Sequence, residues 1–127
     1  MGAVPRSRHQ ALGLLALVFL VVLFPPWAQA ATIERVSVAT DGTQGNDASA
    51  GRAISADGRF VVFNSWADNL VAGDTNDSVD VFLRDTLLRT TERVSVASGG
   101  AQANGISWGI GVSADGRFVA FYSSASN

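Results

Sequence analysis

Apolar residues are spaced along this chain in two ways. From Ala11 to Phe24 they form one unbroken run of fourteen residues, interrupted only by Gly13 and closed by Pro25-Pro26-Trp27. Beyond residue 30 the runs are short and alternate with polar positions, the period-2 spacing of strands. A first short strand is predicted around Arg52 to Ser55. It leads into Ala56-Asp57-Gly58, and Asp-Gly between apolar runs is a turn signal. A second strand is predicted from Arg59 to Ser65. Phe60 and Val62 point to one side of it and Val61 and Phe63 to the other, so both faces should be covered. A third runs from Val79 to Arg84, with Val79, Val81 and Leu83 on one face and Asp80, Phe82 and Arg84 on the other. A fourth runs from Thr90 to Ala97, where Val94 and Val96 alternate with Arg93 and Ser95 as in a half-exposed outer strand. Nothing after residue 30 has the 3.6-residue period of a helix, so the predicted class is all-β.

The same pattern returns. Glu34-Arg35-Val36-Ser37-Val38-Ala39 recurs as Glu92-Arg93-Val94-Ser95-Val96-Ala97, an offset of 58 residues. That offset also carries Ser55-Ala56-Asp57-Gly58-Arg59-Phe60-Val61 onto Ser113-Ala114-Asp115-Gly116-Arg117-Phe118-Val119. From Ile33 to Asn69, 22 of 37 residues are identical with their partners without a gap, too many for chance. A four-stranded antiparallel unit with a buried interior and a polar outer strand, repeated at a fixed period, predicts tandem blades of a β-propeller. Repeat one then spans residues 32–89 and repeat two residues 90–127. By this reading the chain holds one orphan outer strand (Glu34 to Ala39), one full blade and half of a second. The expectation is of more 58-residue copies in the parent gene, and of an isolated product that is marginally stable and aggregation-prone, because bare sheet edges invite pairing.

The leader changes the picture of where the protein works. Arg6, Arg8 and His9 precede the apolar run, and Ala28-Gln29-Ala30 follows it with small residues at the −3 and −1 positions. That is the order of a secretory signal peptide over residues 1–30, cleaved after Ala30. A spanning helix needs about 20 apolar residues, and this run is shorter. The product is expected to be exported, periplasmic or extracellular, with no membrane attachment after cleavage. No Cys follows the run to take a lipid, and Arg6 and Arg8 are not adjacent as a twin-arginine signal requires.

Residues 31–127 contain seven arginines and eleven acids, a net charge of −4, and no Lys, His, Cys or Met. Acidic balance without clustered positive charge argues against a nucleic-acid partner. Without Cys there are no disulfides in a compartment that permits them. Without His or Cys there is no thiolate nucleophile, no Ser-His relay and no usual zinc ligand. No catalytic residue, no cofactor site and no cofactor are therefore expected.

The candidate sites are few. Asp74, Asn76, Asp77 and Asp80 form a loop dense in the oxygen donors that Ca²⁺ takes, but no glycine stands at the sixth position and no glutamate closes it. The favoured expectation is structural: Asp74 and Asn76 in Asx turns, and Asp80 paired with an arginine across a strand. Asp57 and Asp115 are expected to be turn carboxylates copied by the repeat. Ser55 and Ser113 have no base to make them nucleophiles. Arg59 and Arg117 could hold an acidic ligand, with bonds to Asp57, Asp115 or strand-edge carbonyls the favoured alternative. Trp66 and Trp108, aligned with Ser124 and Ala50, break the repeat, and each is expected to pack from a loop over its own blade.

The Ser-Ala-Asp-Gly-Arg-Phe-Val turn, present as Ser55 to Val61 and Ser113 to Val119, resembles the Ser-x-Asp-Gly turn of TolB-type, WD-repeat-like propellers. Asn69 to Asn76, followed by Asp80 to Asp85, is similar to a longer-looped bacterial variant. The resemblance covers residues 32–127 and implies a secreted or periplasmic propeller used as a scaffold for a protein or cell-envelope ligand. Two functions stay open: a non-enzymatic interaction module, favoured by the missing His and Cys, or the propeller part of a larger secreted hydrolase. A truncated, non-functional product is the third.

Overall fold

The computed structural model describes residues 33–127, and the leader proposed for residues 1–30 lies outside them. The described residues form six strands: β1 (Ser49–Ile54), β2 (Phe60–Ser65), β3 (Asp80–Asp85), β4 (Thr90–Arg93), β5 (Ser107–Val112) and β6 (Val119–Ser123). They hold no helix, and the class is all-β as the periodicity predicts. Strands β1 to β4 make one antiparallel meander in chain order, and β5 and β6 make a separate two-stranded sheet. Among the described residues the two sheets do not close into a ring.

The repeat shows in the details of the backbone. β1 and β5 each carry an irregularity at the same repeat position, between Gly51 and Ala53 and between Gly109 and Gly111. Each of these strands starts three residues before Arg52 or its equivalent, earlier than the apolar pattern suggests. The turns after them are also the same. The Gly58 N–H donates to the Ser55 carbonyl and the Gly116 N–H to that of Ser113, at 2.8 and 3.0 Å. Gly58 and Gly116 stand at φ +76° and +72°, the left-handed region where a Cβ is penalised. That is why the turn repeats with glycine in both copies.

The outer strands depart from expectation. β4 ends at Arg93 and does not run to Ala97. The Val81 N–H donates to Ser95 Oγ at 3.0 Å, so a side chain takes the place of a ladder carbonyl and the backbone turns away into a hairpin. The expected strand from Glu34 to Ala39 does not form. Only an isolated bridge between Val38 and Gln44 is present, matching that between Val96 and Gln102. The reason is pairing: Thr90–Arg93 is a strand because β3 lies beside it, and no described strand lies beside Glu34 and Arg35.

Both faces of β2 are buried, as its two-sided apolar pattern requires. On one face Phe63 stacks on Phe82 with ring centroids 5.5 Å apart, and Ala67 and Leu70 close that cluster. On the other, Val62, Val81 and Leu83 meet Val112, Val119 and Phe121 of repeat two. Repeat two therefore packs on repeat one face to face. Gly109 allows the approach, since a Cβ there would stand 2.6 Å from Val62 Cγ1. Its N–H donates to Asn64 Oδ1 at 2.9 Å, and the Ser107 N–H donates to the Val79 carbonyl at 2.9 Å.

Candidate functional site

The loop between β2 and β3 is built around an arginine supplied by the end of β4. Arg93 Nη1 lies 3.2 Å from Asp74 Oδ1 and 3.4 Å from Asp80 Oδ2. Gln102 Nε2 donates to the same Asp74 oxygen at 2.7 Å, and Ser95 Oγ donates to Asp80 Oδ1 at 2.6 Å. Asn76 Nδ2 donates to Asp80 Oδ2 at 3.1 Å and to the Ala103 carbonyl at 2.8 Å. Asp80 and Ser95 are fully buried, so these bonds are what make the burial of a carboxylate tolerable. Burial, and then the neighbouring Asp80, push the Asp74 carboxyl above its ordinary range, while Arg93 and Gln102 act against that rise.

Two of the four loop residues proposed as oxygen donors, Asp74 and Asp80, thus converge on a guanidinium, and Asn76 joins them through Asp80. Asp80 does pair with an arginine from the neighbouring strand. Asn76 does make an Asx turn, accepting from the Ser78 N–H at 3.1 Å. Asp74 does not: it is turned inward to Arg93 and Gln102. Asp77 stands apart, exposed, at φ +50°. Among the described residues no group of three or more His, Cys, Asp or Glu is arranged to hold a metal ion. Arg93, Ser95 and Gln102 carry this network and were not singled out from the sequence. The signal for them was present, because all three are identical in both repeats, as Arg35, Ser37 and Gln44.

The remaining candidates are turn and ladder elements. Ser55 Oγ donates to Asp57 Oδ1 at 2.5 Å and accepts from the Phe60 N–H at 2.9 Å. Ser113 and Asp115 repeat this with Phe118, at 2.6 and 3.0 Å. The serine hydroxyl first, and then the Arg59 or Arg117 N–H that donates to the same carboxylate oxygen at 3.0 and 3.1 Å, lower both carboxyls below the ordinary range, as a stabilised anion requires. Arg59 does not use its side chain on Asp57. Its guanidinium pairs with Asp85, Nη2 to Oδ2 at 2.7 Å and Nε to both oxygens at 3.1 Å. Asp85 also accepts from the Leu87 and Leu88 N–H groups. Arg59 first, and then those two amides, hold the Asp85 carboxyl down at about 2. Arg117, the repeat-two counterpart of Arg59, is exposed, with its guanidinium 5.6 Å from the centre of the Phe118 ring.

The two tryptophans come together. Trp108 lies within β5, not in a loop, and Arg52 of repeat one sits 4.9 Å over its ring. Trp66 follows β2 directly and is about half exposed. Both line a cleft of about 160 Å³ between the repeats, with Ala50, Asn64 and Val79 on its walls. A second open cleft of about 230 Å³ lies beside it and is edged by Asp47, Asp68 and Asp77. One wall is aromatic and the other acidic, and neither holds a nucleophile with a base. Among the described residues no helix is long and apolar enough to cross a membrane. The chain matches no family model, and no curated protein or solved structure shows significant similarity to it.

Proposed function

We propose that this chain is a non-catalytic interaction module of the cell envelope or exterior. In this reading it is built of tandem propeller blades of the TolB-like kind and holds a protein or envelope ligand on its loops. The observation that carries the reading is the way repeat two sits on repeat one. The contact buries the shared face of β2 and uses the repeat's own glycine and serine positions, so the packing can be propagated along an array. The loops of such an array vary freely. Trp66, Trp108 and Asp47 differ from their counterparts in the other copy, and with Asp77 they gather around the two clefts. The serine and aspartate hydroxyls and carboxylates of the turns are committed to hydrogen bonds that define the hairpins.

The test has two arms. Purified protein is expected to turn over no peptide, ester or glycoside substrate. A photo-reactive residue at position 77 or 66, in cells exporting the protein, is expected to give a discrete adduct with an envelope component. Turnover by the purified chain, or failure of every loop position to form an adduct, would overturn the proposal.

A further inference from the structure

In the aromatic cleft the frame repeats and the chemistry does not. Ser49 and Ser65 bond through their hydroxyls at 2.9 Å, as Ser107 and Ser123 do in repeat two. Trp66, Trp108 and Asn64, by contrast, stand where the other copy has Ser124, Ala50 and Tyr122. Asn64 is only 2% exposed and forms part of the cleft wall beside both indoles. The Gly109 N–H donates to its Oδ1 and so fixes which way round the amide stands. Its Nδ2 is buried and has no hydrogen-bond partner among the described residues. A buried donor of this kind costs stability until something accepts from it. Arg52, over the Trp108 ring, holds that indole in place.

We propose that this cleft binds one neutral pyranose ring of a β-linked glycan. Volume sets the size of the ligand: the cleft holds about 160 Å³, and a cavity of about 150 Å³ accommodates one six-membered ring. A β-glucopyranose carries its substituents equatorially, so its axial C–H groups make flat apolar faces suited to indole rings. Its rim is hydroxyls, each of them both donor and acceptor. One accepts from Asn64 Nδ2. Others donate into the acidic cleft that shares Trp66. There Asp47 and Asp68 each use one carboxylate oxygen, on the Ala48 N–H and on Asn46 Nδ2, and among the described residues leave the other free. Competing ligand classes meet only part of this set. An alkylammonium suits indoles and carboxylates but accepts nothing from Asn64. A proline ring stacks and its carbonyl accepts, but it has no donor for the aspartates. A uronic acid or a phosphate meets carboxylates of its own sign.

This inference rests on the reading of the chain as a non-catalytic binding module and names the ligand class of its aromatic cleft. The test is a titration of the full chain with cellopentaose and with N-acetylated chitopentaose, followed by tryptophan emission. A saturable change in the millimolar range is expected with at least one of them, and the preferred oligomer shows whether a hydroxyl or an acetamido carbonyl accepts from Asn64. Trp66→Ser and Trp108→Ala each place the other copy's residue on the repeated frame, and Trp66 is about half exposed, so the first leaves the fold intact. Each should weaken binding on the order of tenfold. No saturable change with either oligomer, or unaltered binding by the Trp66→Ser variant, would overturn the proposal. So would a stronger response to tetramethylammonium, to a proline-rich peptide or to an oligouronate. If photo-adducts from position 66 contain protein and no glycan, and neither oligomer binds, the sugar site falls while the interaction module stands. Hydrolysis of a bound oligomer would do the reverse, keeping the site and removing the non-catalytic reading.

Discussion

Repeats one and two share a sequence pattern but differ in what surrounds them. Phe60 of repeat one lies under Gly116, where a Cβ would come within 2.6 Å of its ring. Phe118, its counterpart, is two-thirds exposed, as are Ile110 and Tyr122 on the same hairpin. Conversely, Arg93 of repeat two is enclosed by Asp74 and Asp80, while Arg35 is exposed. The difference shows that the repeat's burial is supplied by its neighbours. A given side chain is core or surface according to whether another copy stands against it, which is the energetic signature of a nearest-neighbour array.

Paired substitutions at equivalent positions test that statement. The largest contrast is expected for Phe63→Ala, which empties a fully buried ring site and should cost about 3–5 kcal/mol, against its counterpart Phe121→Ala, whose ring is only partly buried and whose loss should cost about 1 kcal/mol. Chemical denaturation measures both, and equal costs would break the comparison. Next comes Arg93→Ala, which leaves Asp80 buried without its counter-charge. About 3–5 kcal/mol is typical for breaking a buried pair, and the lower end applies here because Ser95 and Asn76 still bond that carboxylate. Arg35→Ala should change stability by less than about 0.5 kcal/mol.

Glycine gives a third pair. Gly109→Ala places a methyl against Val62 Cγ1 at 2.6 Å and Val81 Cγ1 at 3.2 Å. Overpacking of this kind costs about 1–3 kcal/mol and should pry the repeats apart. Gly51→Ala, one repeat earlier, meets nothing within 4 Å and should be near neutral. A cost at both positions would mean that the glycines serve the strand irregularity and not the contact between repeats.

Acid gives a smaller effect with a defined sign. Asp85 titrates at about 2 in the folded chain and near 3.9 when unfolded. Its contribution is therefore complete above about pH 4 and is lost as pH falls through about 2. Asp74 works the other way: its folded value is raised, so its share of stability is greatest at low pH and declines as it ionises. Asp85→Asn should flatten the acid limb of a denaturation profile, and an unchanged limb would show that the pair with Arg59 is too solvated to matter. The smallest effect is expected from calcium. A guanidinium already lies between Asp74 and Asp80, so millimolar Ca²⁺ should raise Tm by no more than ~2 °C. A larger rise, abolished by Asp74→Ala, would show that a cation can compete for this loop.

Much of this was written in the chain. The two-sided apolar pattern of Phe60 to Phe63 announced a strand buried on both faces. The Asp-Gly dipeptides announced the hairpin turns, and the 58-residue identity announced that whatever formed once would form again. These are local properties, since side-chain alternation and turn chemistry depend on a few consecutive residues. The identity also reached further than was read from it. Asn69 Oδ1 accepts from the Asn46 N–H at 3.0 Å, and Asn127 Oδ1 from the Asn104 N–H at 3.1 Å. Asparagines kept in both copies at such spacing were a clue to a loop tied to a turn more than twenty residues away.

Tertiary structure alone decided the rest. The sequence says that Glu34 to Ala39 and Glu92 to Ala97 are the same hexapeptide, and no local rule makes one of them pair. Thr90–Arg93 is a strand because β3 offers it a ladder, and Glu34 and Arg35 are not because nothing described does. The fate of the acidic loop was settled in the same way. Four carboxylate and amide side chains in seven residues suit a cation or a hydrogen-bonded turn equally well. The choice went to an ion pair because the end of β4 and the hairpin after it bring Arg93 and Gln102 over the loop. A strand needs a partner and a buried carboxylate needs a counter-charge, and both are met here by residues distant in the chain.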